Sequence, residues 1–484
     1  MEDFTFESIA RKSVKGVAAL ISRTFLIQLL SIFASFVLTI FLAPADYGVF
    51  FVVSSIIVFL TYFQDVGLAA ALIQKKDSPS VEELRTTFTL QQILVAIVVI
   101  PTIVFSSQIA HFYHITNSGF ILFEALIFSF IISSLRTIPT VIMERNLDYN
   151  RLVIPEIAEN LVYNLALIIF AAKGFGVTTF TIAVIARSIV GFVATYYVQP
   201  WPIGFSFHFS SIKKLFSFGV PYQTNTILAL FKDDLLTVYI GKVLPFAQVG
   251  YIGFAEKWAY MPLRLVMDNV IRIAFPSMSR LQHDKEAMKV AIEKSLFLIS
   301  FFIFPIVVAI VSFSPDLVSF IPKYEKWRPA LIALSFYSLS TIFSSISTPL
   351  TNFLTAIGKV KITLYFMIFW TVATWIVTPF FIFKFGYNGV AAGSFLISFT
   401  SLFVFVISKR YLEFSFFRPV ARQIIAAAVM YIFVMITKVF IVSFPALLID
   451  AIASFCIYLL FLIIFAKDEL RKTFGFILGS IKSK

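Results

Sequence analysis

The chain has 484 residues, of which 59% are hydrophobic, 17% aromatic and only 13% charged, and phenylalanine alone fills 60 positions. A soluble domain carries about a quarter charged residues and cannot hide so much apolar surface in one core, which excludes a water-soluble enzyme. The formal net charge of +13 does not point to nucleic acid, because the basic residues stand in short connectors between apolar runs and not on one accessible face.

Residues 1–18 read as a cytoplasmic lead-in, either an amphipathic helix with Phe4, Ile9 and Val14 towards lipid or a frayed polar segment. Apolar segments then follow at 19–42, 48–70, 86–109, 118–142, 152–172, 177–198, 214–241, 247–275, 291–313, 330–354, 361–383, 387–408, 420–442 and 446–466. Each reaches the roughly 20 residues that a helix needs to cross the hydrocarbon. The expected fold is an all-α integral membrane protein with about fourteen transmembrane helices. Segments seven and eight are unusual in carrying charges.

Little else in the chain suggests a catalyst. Cys456 is the single cysteine, so an intramolecular disulfide and cysteine metal patterns are excluded. His111 and His114 lack a third ligand, and no metal or cofactor is expected. There is no GxxxxGK[ST] loop for phosphate, and the longest expected outer loop, 314–329, is too short for a domain. No catalytic residue is assigned.

Lysine and arginine set the orientation. One set of connectors and the two ends carry 25 of them, against six on the other side: Lys173, Lys242, Lys323, Lys326, Arg328 and Lys384. Positive charge is kept on the cytoplasmic side, which places both termini in the cytoplasm and requires an even number of spans.

The chain also repeats itself. Pro44 with Gly48 in FLAPADYGVFF answers Pro245 with Gly250 in GKVLPFAQVGYIGF, and Phe175-Gly176 answers Phe385-Gly386. Between them, the charged linker Lys75–Arg85 answers Arg280–Lys294. The landmarks divide the chain into an N-terminal six-helix lobe at 19–208, a C-terminal six-helix lobe at 209–410 and an appended hairpin with a tail at 411–484. Six spans is an even number, so the lobes are parallel repeats, an outline that suits alternating access across a cleft.

Several charges fall inside the spans. Arg23, Arg136, Arg272 and Lys438 are near span ends, where they can snorkel. Arg187, Lys232, Lys257 and Arg264 are deeper, and a charge at a helix centre costs about 2.5–3.5 kcal/mol. Lys257, Arg264, Asp268 and Arg272 follow steps of seven, four and four, which put them on one helical face. The candidate substrate cavity comprises these four with Arg187, Lys232, Asp233, Asp234, Glu156 and Glu159. Two readings stand open: ion pairing between helices, such as Glu159 with Arg187 or Asp268 with Arg264, and a wet cavity whose arginine forks hold an anionic passenger.

The stretch PADYGVFFVVSSIIVFLTYFQDVGLAAALIQKKD at 44–77 contains Asp46-Tyr47-Gly48, Asp65-Val66-Gly67-Leu68 and Ala71-Leu72-Ile73-Gln74. With FPSMSRLQHD at 275–284 and PLTNFLTAIGK at 349–359, it resembles the polysaccharide transporter family, the Wzx-type oligosaccharide flippases. These share a superfamily with multidrug exporters of the MATE type and lipid II flippases. The resemblance extends over essentially the whole chain. It implies a bacterial inner-membrane protein that moves undecaprenyl-pyrophosphate-linked oligosaccharide from the cytoplasmic to the periplasmic leaflet for O-antigen, capsule or exopolysaccharide. The expected partners are the lipid-linked oligosaccharide, membrane lipids, H+ or Na+ as a coupling ion, and a polysaccharide polymerase. The competing readings are a cation-coupled multidrug exporter and a non-transporting scaffold.

Overall fold

The structure is a computed structural model describing residues 27–64, 67–75, 77–208, 228–415, 417–467 and 469–471. The lead-in at 1–18, Arg23, Asp65, Val66, Lys76, Lys213, Lys214, Tyr222 and the tail after Arg471 lie outside the described residues. Every regular element among the described residues is helical.

Among the described residues, eleven helices are long and apolar enough to cross a membrane, the first Pro44–Gln64 and the last Phe444–Phe465. Three expected segments stand apart from these. The first appears as the shorter apolar helix Ile27–Phe41. The seventh falls partly outside the described residues and includes the helix Asp234–Val243. The eighth is a continuous helix of 35 residues, Phe246–Arg280. Several expected spans are interrupted, among them the third, which divides at Phe105 into Val81–Val104 and Ser106–Phe112, the fourth, which divides at Arg136 into Asn117–Leu135 and Thr137–Arg145, and the twelfth, which divides into Asn388–Ser398 and Ser401–Lys409. The expected outer loop at 314–329 is largely helical, because Lys285–Phe320 continues past Pro315 and a 3-10 turn fills Glu325–Ala330.

Local chemistry places the helix starts. Ser80 accepts the Glu83 amide at 3.2 Å while Glu83 accepts the Ser80 amide at 2.9 Å, a reciprocal cap. Asp284 caps Lys285–Phe320 through the Ala287 amide at 3.0 Å. Within the helices, Ser188, Thr195 and Ser300 donate to the carbonyl four residues back, which satisfies hydroxyls that hydrocarbon cannot hydrate. The outward faces are apolar, as on Val360–Phe385, where Tyr365, Phe369, Val372, Ile376, Phe380 and Phe383 are all exposed. Water would penalise such a stripe; lipid accepts it.

The chain divides into two compact units, one ending at Gly250 and the other beginning at Tyr251. In the second, Lys285–Phe320 is the central helix. Leu296, Phe297, Ile299, Ile303 and Phe304 lie in its core cluster with Leu350 and Phe353, Met430, and Tyr458. The C-terminal hairpin, Phe417–Thr437 and Phe444–Phe465, packs on this helix, and the Tyr458 hydroxyl donates to the Phe301 carbonyl at 3.0 Å.

In the first unit, the repeat landmarks touch one another. A Cβ on Gly48 would lie 1.8 Å from the Phe246 carbonyl oxygen, and one on Gly250 would lie 1.8 Å from that of Pro44. The two helix starts therefore cross backbone to backbone, each through the other's glycine, as small residues permit between membrane helices. Gly48→Ala or Gly250→Ala is expected to destabilise the protein by about 1–3 kcal/mol or more, whereas Gly393→Ala, whose Cβ would meet nothing closer than 3.4 Å, is expected to be neutral. Thermal unfolding of purified variants, followed by fluorescence-detected size exclusion, checks this; three equal midpoints would contradict the close crossing.

Candidate functional site

The interrupted fourth span creates a site in the first unit. The helices Tyr149–Ala172 and Thr178–Val198 pack along their length, and Asn117–Leu135 packs on the second of them. Glu159 stands ten residues into the first helix and Arg187 nine into the other, about 15 Å and 14 Å along their axes, near the middle of a hydrocarbon layer about 30 Å thick. Arg136, at the break, meets them there. Its Nη1 donates to Glu159 Oε2 at 2.6 Å and its Nε to Thr195 Oγ1 at 3.0 Å. Arg187 reaches the other carboxylate oxygen at 3.5 Å and lies 5.4 Å from the centre of the Tyr163 ring.

One carboxylate is thus shared by two guanidinium groups, leaving a net positive charge. Glu159 is buried and the Arg136 side chain is 18% exposed, whereas that of Arg187 is 43% exposed. Gly191 makes room for them: a Cβ there would fall 2.3 Å from Glu159 Oε2 and 2.5 Å from Arg136 Nη1. The exposed apolar residues Ile154, Ile157, Leu161 and Leu165 occupy the opposite side of the Tyr149–Ala172 helix from Glu159. The cluster accordingly faces away from lipid. Glu156 lies one turn from Glu159 and is half-buried.

The structure corrects the expectation that Arg136 is a snorkelling terminal residue. The helical stretch continues past it to Arg145, so Arg136 is an interior residue and the nearer partner of Glu159. The sequence signal for this cluster is Glu159 in mid-span, which needs a cation, and it points to Arg187 alone, because Arg136 stands near the expected end of its span.

Elsewhere in this unit, Lys232 Nζ pairs with Asp233 Oδ1 at 3.2 Å. Asp234 opens the helix Asp234–Val243, whose N-terminal positive end suits a carboxylate.

The second arrangement is the charged face of Phe246–Arg280. Lys257, Arg264, Asp268 and Arg272 are all exposed, while Ala255, Ala259 and Leu263 on the far side are buried. The file extends about 22 Å along the helix axis, too far for every member to sit at one membrane interface. None of the four forms an ion pair or side-chain hydrogen bond with another described residue, so the expected Arg264–Asp268 pairing is not made. Three cations and one anion leave the face with donors available to an anion. Of the ten candidate residues, Glu159 and Arg187 come together and Lys232 and Asp233 form a local pair in the first unit, while Lys257, Arg264, Asp268 and Arg272 share one helix face in the second.

Comparison with known proteins gives these arrangements a family. Residues 37–331 match the family model described as polysaccharide biosynthesis protein. A Klebsiella pneumoniae protein, "Uncharacterized membrane protein in cps region", is 24% identical over 368 residues, covering 74% of each chain. The Escherichia coli (strain K12) lipopolysaccharide biosynthesis protein WzxC is 22% identical over 371 residues, covering 75% of this chain and 74% of its own. Among solved structures, the lipid II flippase MurJ in an inward closed conformation superposes with a TM-score of 0.74 at 16% identity, covering 94% of this chain and all of that one. An inward-facing multidrug resistance MATE family transporter gives a TM-score of 0.63 at 16% identity over 79% and 95% of the two chains. The fold is that of MurJ and the MATE transporters, and the sequence expectation of a polysaccharide-export membrane protein is met: the chain belongs to the polysaccharide biosynthesis protein family.

Proposed function

We propose that this protein is a flippase that carries undecaprenyl-pyrophosphate-linked oligosaccharide repeat units from the cytoplasmic to the periplasmic leaflet of the bacterial inner membrane, by alternating access and without covalent chemistry. The observation that carries this reading is the file of charges on Phe246–Arg280 that have no ion-pair partner among the described residues. A pyrophosphate cannot enter hydrocarbon bare, since an isolated buried charge is prohibitively costly. Cationic donors at intervals of about 6–10 Å along a helix keep such a head group paired as it moves. Asp268, between Arg264 and Arg272, weakens the attraction enough for release. Membership of the polysaccharide biosynthesis family and the names of its relatives support the choice of a lipid-linked sugar.

The remaining elements of the proposal follow the same logic. Two six-helix lobes and the appended hairpin, fourteen spans in all, place both termini in the cytoplasm where lysine and arginine collect. Arg187, Lys232, Asp233, Asp234, Lys257, Arg264, Asp268, Arg272, Glu156 and Glu159 line the route, H+ or Na+ supplies the driving gradient, and a polysaccharide polymerase receives the product. The MATE-like fold admits a multidrug exporter, but cationic drugs need buried acids and aromatic faces, and the unpaired face here is mainly basic. Drug susceptibility of cells with and without the protein separates the two.

Deleting the gene is expected to abolish surface polysaccharide and to leave lipid-linked repeat units on the cytoplasmic leaflet. Normal periplasmic delivery in a strain with no second flippase would sink the proposal. In complementation, Arg264→Ala is expected to reduce delivery far more than Arg272→Ala, with Arg264→Lys restoring it in part because lysine lacks the fork. Recovery in Arg264→Ala/Asp268→Ala at matched protein levels would contradict a substrate role for Arg264.

The cluster in the first unit makes a separate prediction. Arg136→Gln strands a buried carboxylate and is expected to cost about 3–5 kcal/mol, largely restored in Arg136→Gln/Glu159→Gln. Arg187→Gln is expected to leave the unfolding midpoint nearly unchanged while lowering delivery. Thermal unfolding and surface-polysaccharide immunoblots distinguish these effects; a fall in stability for Arg187→Gln as large as that for Arg136→Gln would assign Arg187 to the scaffold.

A further inference from the structure

A cavity of about 430 Å³ opens in the second unit, lined by Lys289, Glu293, Lys409, Glu413, Phe414 and Ser415. Its size falls in the range of ligand sites, roughly 300–1,000 Å³. Its walls come from the first turns of Lys285–Phe320, the last turn of Ser401–Lys409 and the segment that follows. Glu293 is held in place by the Ser415 amide, which donates to its Oε1 at 2.8 Å. Lys409 Nζ lies 5.0 Å from the centre of the Phe405 ring, and Phe405 packs edge-on against buried Phe414. Lys289 Nζ lies 3.8 Å from Glu286 Oε2 at the rim, and among the described residues the lining balances two lysines against two glutamates.

Its position relative to lipid follows from the helix that bears Lys409. Leu402 and Val406 are exposed apolar residues on Ser401–Lys409, and Lys409 follows Leu402 by seven residues, which returns it to the same face. That face presents leucine and valine to lipid and then lysine one turn further on, at the level of the head groups. Val290, beside Lys289, is likewise exposed. The cavity thus lies at the membrane interface, at the lysine- and arginine-rich end of the helices. A purely basic pocket at such a place selects anionic lipids. A lining of two cations and two anions within one cavity instead suits a head group that carries a phosphate and an ammonium together.

We infer that this cavity binds the head group of a zwitterionic phospholipid of the phosphoethanolamine type, with Lys289 and Lys409 on the phosphate and Glu293 and Glu413 on the ammonium. The inference does not depend on the transported substrate. Native mass spectrometry of the full chain, released from bilayers containing equal amounts of phosphatidylethanolamine, phosphatidylglycerol and cardiolipin, tests it directly. The wild type is expected to retain phosphatidylethanolamine above the other two. Glu413→Gln, which adds one net positive charge to the lining, is expected to shift retention towards phosphatidylglycerol by about fivefold, and Lys409→Gln is expected to reduce phosphatidylethanolamine retention. Lys384→Gln, distant in sequence and on the opposite connector, serves as a charge-matched control with an unchanged lipid profile. Retention of either anionic lipid above phosphatidylethanolamine, or equal retention of all three, would overturn the inference. So would a Glu413→Gln profile identical to that of wild type in protein of unchanged melting temperature. Displacement of the lipid by an equal concentration of free phosphoethanolamine would assign the cavity to a soluble zwitterion and overturn the lipid assignment.

Discussion

Hydrocarbon does not solvate charge, and the interior of this protein is arranged around that constraint. Each ionised group at membrane depth has to be neutralised by a partner or kept in contact with water. The first unit uses neutralisation: Arg136 and Arg187 share Glu159, with a glycine at 191 leaving the necessary space. The charged face of Phe246–Arg280 has no such partners among the described residues, so it has to meet water or substrate.

Packing supplies the rigidity against which such charges can be positioned. Lipid tails are as apolar as leucine, so helix association in a membrane relies on close contact and not on expelling water. The reciprocal crossing of Gly48 and Gly250 provides that contact at the start of two helices. In the second unit, the work falls to large aromatic and aliphatic side chains. Trp327 is fully buried and stacks on Phe254 with ring centres 4.3 Å apart, and the hairpin is tied to the central helix by Tyr458 and Phe301. Phenylalanine is abundant because it serves both surfaces, filling these cores and facing the lipid.

Much of the architecture was legible from residue pattern because the bilayer imposes a length and a polarity on every span. The eleven long apolar helices among the described residues fall where hydropathy places them, and Gly48 and Gly250 prove to be points of close backbone contact. What the pattern missed was continuity. Arg136 looked terminal because polarity rises around it, yet the helical stretch bends there and continues, carrying the arginine to the depth of Glu159. Similarly, the polar stretch at 314–329 suggested a loop, but backbone hydrogen bonds carry Lys285–Phe320 through Pro315. The spacing of Lys257, Arg264, Asp268 and Arg272 located their common face correctly, whereas partner choice was beyond it: spacing along one helix does not identify residues on another.

The central claim is that the charged face of Phe246–Arg280 handles the substrate, and site-specific photocrosslinking measures that contact directly. With p-benzoylphenylalanine in place of Arg264 or Asp268 in cells making polysaccharide, irradiation is expected to yield adducts carrying the lipid-linked oligosaccharide, detectable with an anti-glycan antibody. The same probe in place of Ile376, on an outward apolar face, is expected to yield phospholipid adducts without glycan. Glycan adducts at Ile376 equal to those at Arg264, or none at Arg264 and Asp268 in protein shown to be present in the membrane, would contradict the assignment.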